Sequence, residues 1–175
     1  MSEPNSLYVR VHLSKDAFER FLKSQTVAAS HFNDWMPWLG QAEVYGGPLS
    51  EQWLAEVSEG HQPGTVEDAL AAWVDDGWAM ARSVYDEATE TWMFGCLQFS
   101  ENYGEYMVYL PLMRAVEAFK DRAGDDFMVV YPRIWGPTDC HVVCISLSQD
   151  GGALCDEFSP RMRAEADGFL QRLFP

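Results

Sequence analysis

The chain changes its hydrophobic period within its first two dozen residues, and that change constrains the fold more than any other feature. Leu7, Val9, Val11 and Leu13 alternate with Tyr8, Arg10 and His12, the two-residue repeat of a strand with one buried face. Ser14 then caps a helix whose Phe18, Phe21 and Leu22 share one side. The same two periods recur to the end. Ser50 caps a second helix, with Leu49 stapled onto Leu54 and Gly60 as its stop. Thr65 and Asp68 make a capping-box-like start for a third, which carries Val66, Leu70, Trp73, Val74 and Trp78 at helical spacing. Residues 83–85 and 91–99 read as strands joined by the polar turn D-E-A-T-E. Pro111 suits the first turn of a helix with Leu112, Val116 and Phe119, closed by Gly124. Strands are predicted over 127–134 and 140–147, and S-Q-D-G-G turns the chain into another over 153–158. Ser159-Pro160 opens a last helix with Met162, Ala166, Phe169, Leu170 and Leu173 on one stripe.

Hairpins segregated from helices predict an α+β fold: a mainly antiparallel sheet with helices packed on one face. At 175 residues and 47% hydrophobic, a single globular domain over 1–175 is expected. No run reaches membrane-span length, and the opening M-S-E-P-N-S has neither the basic start nor the apolar stretch of a secretory signal. Four irregularly spaced cysteines suggest reduced thiols, so a cytoplasmic protein is expected.

The one local cluster of reactive side chains is T-D-C-H-V-V-C, residues 138–144. On a strand over 140–147, Cys140 and Cys144 face one way and His141 the other, so the three cannot close around one ion. Cys155, on the next predicted strand, adds a third sulfur near Cys144 but no fourth ligand. Buried, inert cysteines are the expectation, with a thiol switch as the lesser alternative; no metal and no cofactor are expected. His12, on the polar face of its strand, and His61, in a loop, read as solvated or structural. G-x-S-x-G, Walker A, a strand-borne G-x-G-x-x-G and H-E-x-x-H are all missing from the sequence, so no catalytic residue is assigned.

What rises above background is where the charge lies. The chain has 27 acids against 12 bases, a net −15. Between residues 24 and 113 fourteen acids face the single base Arg82, which leaves −13 in that segment. Six of the seven tryptophans lie there too: Trp35, Trp38, Trp53, Trp73, Trp78 and Trp92. A surface of this sign repels phosphate backbones, which argues against direct nucleic-acid binding and for a cationic protein partner. Two arrangements compete. In the first, indoles fill the core and carboxylates form a solvated face; Trp73 and Trp78, on a helical stripe, are expected in the core. In the second, exposed aromatics ringed by acids form a docking hot spot. Trp35 and Trp38, in an irregular stretch, have the weaker claim to burial and are the candidate anchors. Asp75, Asp76, Glu101, Tyr103, Glu105 and Tyr106 are the candidate contacts.

The segments W-V-D-D-G-W (73–78) and S-E-N-Y-G-E-Y (100–106), on a small acidic α+β chain, resemble bacterial immunity proteins, inhibitors of polymorphic or type VI-delivered toxins. The resemblance implies a one-to-one complex that occludes the active site of a basic toxin such as a nuclease. Two other readings stay open from the residues alone. One is a small enzyme pairing Cys96, Cys140, Cys144 or Cys155 with a histidine; the other is an adaptor or chaperone for a secreted effector.

Overall fold

The computed structural model describes residues 4–42, 48–134 and 140–173. Its strands are Asn5–His12 (β1), Ala81–Asp86 (β2), Thr91–Ser100 (β3), Asp126–Tyr131 (β4), Val143–Leu147 (β5) and Ala153–Leu154 (β6). They form one antiparallel sheet in the order β2-β3-β1-β4-β5-β6. The helices are Lys15–Lys23 (α1), Met36–Leu39 (α2), Glu51–Glu59 (α3), Val66–Asp75 (α4), Tyr103–Arg114 (α5) and Pro160–Gln171 (α6). This is a single α+β domain, as the alternation of periods predicts.

β1 lies at the centre, with Val9 opposite Phe94 on one side and Met128 on the other. Its alternation divides the core. Leu7, Val9 and Val11 join Trp92, Phe94, Met128, Val130 and Ile145 on the face covered by α1 to α5. Tyr8 joins Leu97, Phe127, Val129 and Tyr131 on the opposite face, under Phe169 and Leu170 of α6. Helices on one face alone therefore describes α1 to α5, and α6 corrects it. The cause is in the strands themselves: Tyr8, Leu97, Phe127, Val129 and Tyr131 make their second face apolar as well, and it needs its own cover. Gly95 lets α6 approach, because a Cβ there would overlap the Phe169 ring.

Several boundaries differ from the sequence pattern. The helix expected from Pro111 begins at Tyr103, where the Asn102 side chain caps it by accepting from the Gly104 N–H at 2.7 Å. Tyr106, Met107, Leu110, Leu112 and Met113 are all buried, so α5 is apolar on most sides and shows little helical period. α4 stops at Asp75 rather than continuing to Trp78. The strand expected over 140–147 starts at Val143, and that over 153–158 shortens to two residues. Among the described residues no helix is long and apolar enough to cross a membrane.

One buried ionic group ties the helical layer to the far edge of the sheet. Arg114, 3% exposed, donates to both carboxylate oxygens of Asp34 at 2.6 and 2.8 Å and to the Gly152 carbonyl at 2.6 Å. Its guanidinium lies over Phe32 at 4.4 Å and Trp35 at 5.4 Å. Glu117 is 3.7 Å away, and burial raises its carboxyl pKa above the ordinary value.

Candidate functional site

The acid-rich segment folds largely into α3, α4 and α5, with α5 touching both of the others: α3 packs on it, and Trp73 of α4 meets Tyr109 of α5 edge-on at 4.9 Å. Apart from Arg114 at the end of α5, these helices carry no base, and the ion pairs of the described residues draw few acids from them. Asp34 pairs with Arg114, Glu87 with Lys15 and Glu90 with Arg122. Glu51, Glu56 and Glu59 on α3, Glu67, Asp68 and Asp75 on α4, Asp76, and Glu105 on α5 have no basic partner within 4.0 Å among the described residues.

The end of α4 holds the most unusual arrangement. Its start follows helix electrostatics: Thr65 caps the Asp68 N–H at 3.1 Å, and Glu67 and Asp68 sit at the positive end of the dipole. Its finish does the opposite. The last turn has no base, and Asp75 and the C-cap Asp76 place two exposed carboxylates at the negative end. The Asp76 side chain accepts the Trp78 N–H at 2.9 Å, which bends the chain through Gly77. Ala79 then returns to the interior at 1% exposure, leaving the Trp78 indole outside at 75%. Val74, 41% exposed, lies on the same short stretch. Beside it Ala72, Trp73, Asp76 and Tyr109 line a hollow of about 150 Å³.

The candidate contacts divide accordingly. Asp75, Asp76, Glu101 and Glu105 are at the surface. Tyr103 and Trp38 are half-buried against each other, ring centroids 5.3 Å apart, and the Trp38 indole N–H donates to the Val142 carbonyl at 2.9 Å. Burial raises the Tyr103 pKa. Trp35 and Tyr106 are corrected outright, being 0% and 1% exposed. The Trp35 N–H is held by the Ala29 carbonyl at 2.9 Å, and the Tyr106 hydroxyl donates to the Ser100 carbonyl at 2.9 Å. Burial pushes the Tyr106 hydroxyl well above its ordinary pKa. Both are parts of the core. The rest do not form one patch: Trp38 meets the first turn of α5 through Tyr103, and Trp73 meets Tyr109 roughly 9 Å further along that helix. The helical spacing of Trp78 predicts a core position, yet among the described residues it is the most exposed large hydrophobic. D-D-G before it is the signal that ends the helix and releases the indole.

The cysteine segment also differs from its reading as one strand. Thr138 and Asp139 lie outside the described residues. His141 precedes β5, so strand alternation does not turn it away from Cys144. Together with Cys155, Trp38 and Leu154 the two line a hollow of about 250 Å³. The imidazole is engaged by the Cys155 backbone, and its pKa is lowered, chiefly by burial. Among the described residues no three His, Cys, Asp or Glu side chains converge as a metal-ligand set. Comparison of the chain with protein-family models, with curated proteins and with solved structures gives no match in any of the three.

Proposed function

We propose that this chain is a cytoplasmic binding protein that neutralises a cationic toxin, a nuclease being the favoured class, through a one-to-one complex covering the toxin's active site. The observation that carries the reading is the end of α4. Two carboxylates without basic partners stand at the negative pole of a helix, beside an indole left in water. That arrangement lowers the stability of the free chain through dipole and like-charge repulsion, and a positive partner relieves it. Trp78 supplies the aromatic contact and Asp75 and Asp76 the steering field.

The test is association with the product of the neighbouring gene, with growth on co-expression as the biological readout. The reading expects a complex and rescued growth. It expects Asp75→Lys with Asp76→Lys to slow association by about tenfold or more and to flatten its salt dependence. An unchanged on-rate removes this surface from the proposal. A complex without rescue favours an adaptor, and rescue without a complex favours an enzyme that repairs damage.

The shared hollow of His141, Cys144 and Cys155 supports a second reading, a small cysteine-histidine enzyme. The imidazole, however, is engaged by the Cys155 main chain. Loss of the biological effect on changing all four cysteines to serine, in a still-folded protein, would favour that enzyme over the inhibitor.

A further inference from the structure

The ladder between β5 and β6 pairs Ser146 with Ala153 and Ile145 with Leu154. The next pair in that register is Cys144 opposite Cys155, and the Cys155 N–H donates to the Cys144 carbonyl at 2.8 Å. Directly opposed residues of an antiparallel pair project to the same face, with Cα atoms about 5.5 Å apart when hydrogen-bonded. That separation is the one a disulfide spans with least strain. Both cysteines are free thiols and line one hollow. They differ in access. Cys144 is 1% exposed, whereas Cys155 is part-exposed and also lines a second hollow of about 350 Å³ on the α6 side. The Cys144 thiol is pushed up to about 12, by burial first and then by the neighbouring Cys155 sulfur. The other two cysteines are placed differently. Cys96 is buried on the opposite face of the sheet, its thiol bonded to the Ala79 carbonyl, and Cys140 is exposed ahead of β5.

We propose that Cys144 and Cys155 are an oxidisable pair that closes a disulfide across β5 and β6 when the protein meets hydrogen peroxide. The Cys155 thiolate attacks one peroxide oxygen; the O–O bond breaks, and the departing hydroxide takes a proton to become water. The resulting Cys155 sulfenic acid is then attacked by the Cys144 sulfur, which gives up its proton. The S–O bond breaks, and the second oxygen leaves as water. Two thiols and one peroxide thus yield one disulfide and two waters, with sulfur oxidised and peroxide oxygen reduced. Access decides the order, since Cys155 meets the oxidant first and buried Cys144 resolves it. The product fastens the short edge strand β6, and the turn through Gly152 that receives Arg114, onto the body of the sheet.

The test is treatment of the purified full-length chain with hydrogen peroxide, followed by thiol counting, intact mass and peptide mapping. Two of the four thiols should be lost, with a mass decrease of two hydrogens, a linked peptide joining residues 144 and 155, and full reversal by dithiothreitol. Cys155→Ser should abolish the link. Cys144→Ser, or Cys144→Ala if the serine variant does not fold, should leave a Cys155 sulfenic acid that dimedone traps. A Cys96→Ser, Cys140→Ser double variant should oxidise as the wild type does. Four thiols still alkylatable, a link through Cys140, or Cys155 driven to sulfinic acid beside a free Cys144 would each overturn the proposal.

Discussion

At the scale of single residues, the two tryptophans Trp35 and Trp78 exchange the places their neighbourhoods suggest. Trp35 stands in a stretch without period, yet its ring is sealed between Phe32, Trp38 and the Arg114 guanidinium. Trp78 follows a helical stripe in register, yet the helix ends before reaching it. Their substitutions should therefore behave oppositely. Trp35→Ala is expected to destabilise the chain by about 3–5 kcal/mol. Trp78→Ala should stay within about 0.5 kcal/mol of wild type while weakening the proposed complex by about 2 kcal/mol or more. Urea unfolding and a binding titration of both variants check the pair. Gly152 is a second sharp position: a Cβ there would fall on the Glu117 carboxylate and the Ser146 carbonyl, in the wall of the buried Arg114 group. Gly152→Ala should lose about 1–3 kcal/mol in the same assay. Neither Trp35 nor Gly152 announces its role in sequence, because each is fixed by residues distant along the chain.

At the scale of elements, what a helix shows in sequence depends on how many of its sides are wet. α1 presents a polar side and Ser14 caps it, so its start and its buried Phe21 were legible. α4 likewise declared its capping box. α5 did not, because apolar neighbours surround it and its proline, which suggested a beginning, lies inside. β6 is shorter than the residue pattern over 153–158 suggests, because two ladder pairs are too few to leave a periodic trace. The candidate contacts on α4 were legible as charge, and the indole beside them was not. The carboxylates at the end of α4 also make a prediction of their own. Asp75→Asn with Asp76→Asn keeps the side-chain oxygen that accepts the Trp78 N–H while removing charge from the negative pole. The variant should unfold later than wild type by about 0.3–1 kcal/mol per site at low salt, measured by thermal denaturation. A loss of stability would show that these acids hold the fold together.

At the scale of the whole molecule, acids and bases are segregated: among the described residues, carboxylates without basic partners lie along α3, α4 and α5, while ion pairs bind β1, α1, β4 and α6 to their surroundings. Screening should then help the free chain. Its melting temperature is expected to rise as sodium chloride is increased from about 10 to 500 mM, since repulsion among the helices is damped. A complex held by opposite charge should weaken over the same range, and calorimetry of the two samples separates them. The exposed indole has one more use. Trp78 is the single exposed one among the six described tryptophans, and the others are wholly or partly shielded. Of those six, its emission should be the most red-shifted and the most accessible to acrylamide. The protein thereby contains its own optical label on that surface, and a blue shift with lost quenching would report the arrival of a visitor without any dye.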